Sequence, residues 1–527
     1  MKVLVSDNLD ERGVQLLKDE KDIDVDVRTG LSPEEQKAII GDYDALIIRS
    51  ATKVTEDLLN TAKHLKVIGR AGIGLDNVDI PAATKHGIVV MNTPGGNVVT
   101  TAEHTLSLMM ALTRNIPQAT ASLKAGRWDK NKLKGREIFN KTLGIIGFGN
   151  IGTIVADRAR GLKMRVIIYD PNVTPERIEK AGFESVTLEE LYNQSDYITI
   201  HIPKLKSTTK LINKEAFAQM KDGVMLICCA RGGIVDEKDL YDAIKSGKVA
   251  GAALDVFEIE PPDNSPLFEL DQVIATPHLG ASTYEAQTNV AVSVAEQIIE
   301  FLKNNTIINA VNVPSVTGEL LNKLRPFLTL GDRIGSLLAQ LSKGPLKEVA
   351  IEYTGNFFGL DMASVTTAVL KGLLTPIVSD DVNSVNAPVL AKERGIKITE
   401  TTSSASQDYT NLMTVKAITT EMTNTIAGTI FGKNDPRVVK INNFRLELIL
   451  KKGYLSLIHN LDKPGAIGSI ASTLGENNIN IARMQVGQEE EGERNIIFLQ
   501  TDTPIPDDVL EKLRTLPLIK AARTFEL

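Results

Sequence analysis

The segment Gly147-Phe-Gly149-Asn150-Ile151-Gly152 constrains this chain more than any other. It follows the apolar run Leu143-Gly-Ile-Ile and opens a stretch with helical spacing. In that setting the first glycine makes a tight turn, the second lets backbone approach a pyrophosphate, and the third lets strand and helix pack closely. The free N–H groups of the helix start then face the anion. The next strand, Arg165-Val-Ile-Ile-Tyr, ends at Asp170, 18 residues past Gly152. A carboxylate there accepts from both ribose hydroxyls and repels a 2′-phosphate, so the expected cofactor is NAD rather than NADP. The alternative for Asp170 is a plain turn start before Pro171.

A chain of 527 residues is long enough for three or four domains. Before the glycine segment, Val3-Leu-Val, Val25-Asp-Val, Ala45-Leu-Ile-Ile, Val67-Ile-Gly and Ile88-Val-Val-Met read as strands. Ser32-Pro33-Glu34-Glu35 announces a helix: a cap, proline at the first helical position, glutamate three after the cap. Alternating strand and helix predict a parallel, doubly wound sheet. A long helical stretch over 98–125 leads to a second α/β series from Thr142, with strands at 143–146, 165–169, 197–200, 224–227, 249–254 and 273–276. Two α/β units with the fingerprint only in the second predict a two-lobed enzyme with a cleft between lobes. Residues 313–447 mix helix and strand and carry a polar run at 399–406. Residues 453–527 read strand, helix, strand, hairpin, strand, helix, strand, which suits a ferredoxin-like sandwich. The acidic stretch Glu489-Glu-Glu-Gly-Glu falls at the expected hairpin tip.

The formal charge of −7, with signs mixed along the chain, argues against nucleic acid as a partner. No apolar run approaches the ~18 to 20 residues that span a bilayer, and Met1-Lys-Val-Leu-Val-Ser-Asp is not a signal peptide. A reducing cytoplasm is the expected location. The only cysteines, Cys228 and Cys229, are neighbours in an apolar strand; they suit core positions, and no metal site is expected.

Oxidation of a 2-hydroxy acid needs a base for the hydroxyl proton, a cation for the carboxylate and a nicotinamide beside C2. Six histidines leave few candidates for the base. His278, in Thr276-Pro-His-Leu-Gly280, lies at a predicted strand end, where such sheets place their sites. Upstream lies the acidic Asp255-Val-Phe-Glu258-Ile-Glu260-Pro-Pro; a glutamate on the imidazole would fix its tautomer and raise its pKa. Arg231 directly follows a strand, and a guanidinium matches a planar carboxylate. Spacing alone leaves other roles open: His278 capping a turn, Glu260 solvated beside prolines, Arg231 in a surface ion pair.

These motifs together, Gly147-x-Gly149-x-x-Gly152, Ala230-Arg231-Gly-Gly-Ile-Val-Asp, Asp255-x-Phe-x-x-Glu260-Pro and Pro277-His278-Leu-Gly, resemble the D-isomer-specific 2-hydroxyacid dehydrogenases over residues 1 to about 312. Arg49-Ser-Ala-Thr-Lys-Val, Gly69-Arg70-Ala-Gly-Ile73-Gly74-Leu-Asp-Asn-Val-Asp, Asn92-Thr-Pro-Gly-Gly-Asn97 and His278-Leu-Gly-Ala-Ser-Thr resemble its members that oxidise 3-phospho-D-glycerate, the entry to L-serine synthesis. The resemblance implies a catalytic trio of Arg231, Glu260 and His278. It implies substrate contacts from Arg49, Arg70, Ile73, Gly74 and Asn97, with Lys130 as a further candidate. It implies cofactor contacts from Gly147, Gly149, Asn150, Ile151, Gly152, Asp170, Ile202, Pro203, Thr208, Cys229, Ala230, Asp255 and Gly280. It also implies that the first lobe is discontinuous, 1–97 plus 285–312, around a cofactor lobe at 98–284. There are two departures. Trp128-Asp-Lys130-Asn-Lys132-Leu-Lys-Gly135 stands where the family often has Trp-x-Arg-x-x-Phe-x-Gly, and lysine lacks the bidentate fork. Lys204 replaces the commoner leucine after Pro203.

Residues 453–527 resemble an ACT domain, an amino-acid-sensing module, through Leu457-Ile-His459-Asn460-Leu-Asp462-Lys-Pro464-Gly465-Ala-Ile-Gly468 and Asn478-Ile-Asn480-Ile. Pro464 suits a first helical position. The resemblance implies an amino-acid effector, L-serine, gripped at a subunit interface by His459, Asn460 and Asp462, with Asn478 and Asn480 nearby, in a tetramer or dimer. A domain that only dimerises is the alternative. Residues 313–447 resemble the intervening domain of the long-form enzymes, where Lys433, Arg437, Lys440 and Arg445 are either an anion site or a solvated basic face. Two other functions stay open: reduction of an unphosphorylated 2-oxo acid such as glyoxylate or hydroxypyruvate, and NAD(H) sensing without catalysis.

Overall fold

The computed structural model describes residues 1–314, 318–357, 360–378, 382–404, 408–450, 453–489 and 492–526. Ala405 and Ser406 of the polar run, and Glu490 and Glu491 of the acidic stretch, lie outside them. The first sheet is parallel and runs β2-β1-β3-β4-β5: β1 (Lys2–Val5), β2 (Asp24–Val27), β3 (Ala45–Ile48), β4 (Val67–Arg70) and β5 (Val89–Asn92). Its order reverses between β1 and β3, and Asp7 and Arg49 follow those two strands. Ser32 caps helix Pro33–Ile39 in a capping box with Glu35, as the sequence predicts.

The second sheet is also parallel, ordered β12-β11-β10-β9-β6-β7-β8. It comprises β6 (Thr142–Ile146), β7 (Arg165–Tyr169), β8 (Glu184–Ser185), β9 (Tyr197–Ile200), β10 (Val224–Cys228), β11 (Val249–Leu254) and β12 (Val273–Ala275). The short β8 carries no apolar run and is not legible beforehand. The glycine segment follows β6 at the point where the order reverses, the crevice in which such sheets bind ligands.

The helical stretch expected over 98–125 is two helices, Val98–Thr113 and Ile116–Lys124. Asn115 between them turns left-handed at φ 52°, and residues 135–136 fold back there, with the Arg136 amide donating to the Thr113 carbonyl. Leu108, Met109 and Leu112 of the first helix pack on the second sheet. Helix Tyr284–Asn304 instead lays Val290, Val294 and Ile298 against Val3, Val5 and Val67 of the first sheet. The chain thus crosses between sheets twice, and the crossovers touch: the Thr100 and Thr283 hydroxyls are 3.3 Å apart, and the Thr101 hydroxyl donates to the Gly280 carbonyl at 3.0 Å.

The remaining strands form one ten-stranded sheet that runs through both units expected from the sequence. Its order is β14-β13-β15-β16-β17-β18-β20-β21-β19-β22. The first part holds β13 (Leu346–Gly355), β14 (Lys397–Ser403), β15 (Asn411–Thr419), β16 (Thr423–Phe431), β17 (Asp435–Ile441) and β18 (Phe444–Leu448). The second holds β19 (Tyr454–Leu461), β20 (Ile481–Glu489), β21 (Arg494–Thr501) and β22 (Ile519–Glu526), the ferredoxin-like order. They join where Phe444 and Arg445 of β18 face Glu489 and Gln488 of β20. Helix Ala466–Glu476 starts later than Pro464 suggested, because Gly465 takes φ 95° and becomes its cap. No helix among the described residues is long and apolar enough to cross a membrane.

Candidate active site and cofactor cradle

The glycine turn has the geometry that its spacing predicts. Gly147 adopts φ 102°, and a Cβ there would lie 2.5 Å from the His201 carbonyl oxygen. A Cβ on Gly152 would lie 2.0 Å from the Gly147 oxygen, so strand and helix meet only because both are glycine. A Cβ on Gly149 would meet nothing within 4 Å. Open space therefore faces the start of helix Asn150–Gly161, which no side chain caps. Uncapped amides beside open space fit a pyrophosphate. One Asp170 oxygen accepts from the Phe148 amide at 2.7 Å and the other from Asn172 at 2.8 Å, so the carboxylate both starts a turn and braces the glycine loop. Ile202 packs beside Gly147. The Thr208 hydroxyl donates to the Pro203 carbonyl at 2.7 Å, closing the loop after β9.

Two expected cofactor side chains have other work. Asp255 is fully buried; its Oδ1 accepts from the Thr276 hydroxyl (2.6 Å), the Leu279 amide (2.7 Å) and His104 (3.2 Å), and its Oδ2 from the Gly280 amide (2.7 Å). Burial pushes this carboxyl up, but the donors outweigh it and hold it below the ordinary value. What the structure shows is a positioning carboxylate that shapes the turn at 276–280. Cys229 is buried with its thiol near Thr105, and burial pushes that thiol strongly up. Neither it nor Cys228, pushed up by burial to about 11, is a free nucleophile.

That turn carries His278 at φ 52°, a left-handed conformation uncommon for a non-glycine residue and held by the Asp255 carbonyl accepting its amide at 3.0 Å. Its Nδ1 lies 2.7 Å from Glu260 Oε2. An ionised carboxylate only accepts, so Nδ1 carries the proton and Nε2 is left for a substrate. The bond to Glu260, against the opposing effect of burial, raises the imidazole pKa. Burial pushes Glu260 up, but His278 and the Phe257 amide, 3.1 Å from Oε1, bring it below its ordinary value.

Arg231 leaves the second sheet and reaches the first lobe. Its Nε donates to Asp76 at 3.0 Å, its Nη1 to its own Ala230 carbonyl at 2.6 Å, and its Nη2 lies over Gly74, only 2.1 Å from where a Cβ would be. Arg70, at the end of β4, lies over Gly72 in the same way. Burial, with Arg231 and Arg49 close by, pushes Arg70 down to about 10 against the pull of Asp76 and Asp7. Its Nε is buried without a partner. Arg49 is set by Asp7, which accepts its amide at 2.6 Å, and by Asn77, which donates to its carbonyl at 2.8 Å. Asn92 donates to the Ile73 carbonyl at 2.7 Å, and Asn97 is buried with Oδ1 unpartnered. Arg49 and Arg231 both lie close enough to Arg70 to disfavour its charge, and Arg231 also acts electrostatically on His278. Lys130 does not join them; it sits on an exposed turn whose bonds are local, such as Ser122 to Asp129. Asp7, Asp76, Asn77 and His104 were missed. Each acts by holding another group, and no spacing marks that.

The regulatory candidates do not converge within one chain. His459 and Asn460 are adjacent on β19 and point to opposite faces. His459 meets the Phe444 ring, and burial lowers its pKa. Asn460 is buried with Oδ1 unpartnered, opposite Asn495, whose Oδ1 is also unpartnered. Asp462 is exposed just past β19. Asn478, at φ 56°, ends a helix, and Asn480 donates to Asp502. These two lie near Ile481, which is level with Thr501. That is six residues along β21 from Asn495, about 20 Å. In the basic cluster, Arg437 is paired with Asp435 and Glu447.

Residues 106–280 match the D-isomer specific 2-hydroxyacid dehydrogenase NAD binding domain, 323–442 the D-3-phosphoglycerate dehydrogenase intervening domain, and 454–518 the ACT domain. The chain is 44% identical to D-3-phosphoglycerate dehydrogenase of Bacillus subtilis, covering 100% of this chain and 99% of that one. It is 43% identical to the enzyme of that name from Methanocaldococcus jannaschii, covering 100% of both. Among solved structures, D-lactate dehydrogenase from Aquifex aeolicus, complexed with NAD and lactic acid, matches 60% of this chain and 100% of its own at TM-score 0.55 and 29% identity. Identity at this level over the full length, across all three kinds of domain, means that the chain belongs to the D-3-phosphoglycerate dehydrogenase family.

Proposed function

We propose that this enzyme oxidises 3-phospho-D-glycerate to 3-phosphooxypyruvate with NAD, the first step toward L-serine. The observation that carries the reading is the pairing of His278 and Glu260 at 2.7 Å, with Arg231 acting both on His278 and on a buried Arg70 whose Nε is unpartnered. A substrate with a carboxylate and a phosphate supplies further anions to this cluster, in which Asp76 already pairs with Arg231 Nε. Gly147, Gly149, Gly152, the first turn of helix Asn150–Gly161 and Asp170 would hold NAD, which when bound supplies the hydride acceptor. His278 Nε2 takes the C2 hydroxyl proton while Glu260 stabilises the imidazolium that forms. Arg231 holds the carboxylate through Nη2, and Arg49, Arg70 and Asn97 hold the remainder. In reduction His278 returns the proton.

The ACT unit would bind L-serine between subunits of a dimer or tetramer and shift lobe closure. The unpartnered oxygens of Asn460 and Asn495 support a polar ligand there. Two free, buried cysteines suit a reducing cytoplasm. The test is NADH loss at 340 nm with 3-phosphooxypyruvate, with and without L-serine, beside hydroxypyruvate and glyoxylate. Fast turnover of the phosphorylated acid, suppressed by serine, supports both parts; preference for an unphosphorylated acid overturns the substrate assignment. Turnover indifferent to serine overturns only the regulation.

A further inference from the structure

The two crossovers between the sheets are flanked by a second polar cleft of about 620 Å³. It is lined by Arg12 from helix Glu11–Lys18, by Gly95 and Gly96 before one crossover, and by Asn289, Ser293 and Gln297 from the helix after the other. Gln297 is 5% exposed, and its Oε1 is buried without a hydrogen-bond partner. A buried amide end left unpaired is destabilising, and no step of the proposed reaction uses it. The Arg12 guanidinium, which also lines the cleft, makes no side-chain hydrogen bond or close ion pair among the described residues, although it acts electrostatically on Asp10. Asp10 does not line the cleft; it accepts from the Arg12 amide at 3.0 Å and the Thr288 hydroxyl at 2.8 Å.

We propose that this cleft is a second small-molecule site, separate from the active site, that takes a short hydroxy carboxylate. The carboxylate pairs with Arg12, and a hydroxyl meets the Gln297 amide once its buried end turns to the cleft. A hydroxyl both donates and accepts, so it satisfies the amide in either orientation. Asn289 and Ser293 add neutral donors along the wall, and open space beside Gly95, where a Cβ would meet nothing within 4 Å, leaves room to enter. The site also touches the catalytic cleft through one residue: the Thr93 hydroxyl, on the cleft wall, accepts the Gly72 amide at 2.7 Å, and Gly72 is where Arg70 rests.

The test uses thermal unfolding of the full-length protein with D-glycerate, and with acetate as the control that lacks a hydroxyl. An Arg49→Ala/Arg231→Ala variant weakens anion binding at the active site, where Arg70 remains; Arg12→Ala and Gln297→Leu remove the carboxylate and hydroxyl contacts at the cleft. We expect D-glycerate at saturation to raise the melting midpoint by about 2 °C or more in the parent and in Arg49→Ala/Arg231→Ala. The rise should vanish in Gln297→Leu and Arg12→Ala, and acetate should give none. Leucine replaces the buried amide with an apolar group of similar size, so that variant is expected to fold. A rise retained in Gln297→Leu and Arg12→Ala but lost in Arg49→Ala/Arg231→Ala places D-glycerate in the active site alone and overturns the proposal. No rise in any protein means that the cleft holds only water, and also overturns it. Neither result bears on which acid is oxidised.

Discussion

Gly74→Ala separates the position of Arg231 from the stability of the fold. A Cβ at residue 74 would lie 2.1 Å from Arg231 Nη2 and 2.9 Å from both its Cζ and Asp76 Oδ2. Retreat to an ordinary contact of about 3.5 Å moves the nitrogen by about 1.4 Å. The atoms in the way end a flexible side chain, so the shift is cheap for folding. Gly74 does not have a positive φ, and alanine there narrows the unfolded ensemble, worth about 0.4–1 kcal/mol toward stability. Catalysis is a different matter, since misplacing a binding group by about 1 Å costs about 100-fold. The expected result is kcat/KM for 3-phosphooxypyruvate reduction lower by about 100-fold, with the melting midpoint unchanged or slightly raised. Activity within about threefold of the parent would show that Arg231 is not held to its site by this contact, and refute the reasoning.

Glu260 raises the His278 pKa, so reduction, which needs the imidazolium, persists above pH 6.5 and is lost as pH climbs through the raised value. Oxidation needs neutral imidazole and fails as pH falls through the same value. In Glu260→Gln both limbs move to lower pH; pH–rate profiles that stay in place would sink the pairing. Asp255→Ala strands four donors around a fully buried site, at a cost of about 3–5 kcal/mol, and thermal unfolding should show a midpoint lower by several degrees. Asp170→Ala loses a ribose acceptor and the brace on the Phe148 amide. The ratio of kcat/KM for NAD over NADP should fall about tenfold or more, and an unchanged ratio assigns Asp170 to the turn alone.

The cofactor lobe was legible because its function is local. Gly147, Gly149, Gly152 and Asp170 act through backbone geometry within a single strand–turn–helix and the strand after it. Arg231, Glu260 and His278 were readable as strand-end residues, but their convergence was not. It depends on Asp255, which joins four groups from two segments, and on Asp76, which reaches Arg231 from the other lobe. Periodicity marked the long helical stretch, yet it missed the break at Asn115, which comes from residues 135–136 folding back. It also gave no hint that β18 and β20 pair, since an edge strand looks alike whether or not a neighbour comes. The regulatory residues are spread within one chain for a topological reason: neighbours in sequence alternate faces on β19, and a helix carries the next group to the far end of the sheet.

The join between β18 and β20 is short, but the apolar layer beneath it is not. Leu446, Leu448 and Leu450 share one buried cluster with Leu455, Leu457, Phe498 and Phe525. Neither half of the ten-stranded sheet can leave without baring an oily face to water. The sensing unit is therefore not a pendant on a tether but half of a single cooperative block. Calorimetry of a fragment beginning near residue 323 should give one unfolding endotherm, not two. Any effector signal must then reach the catalytic lobes through movement of the whole block.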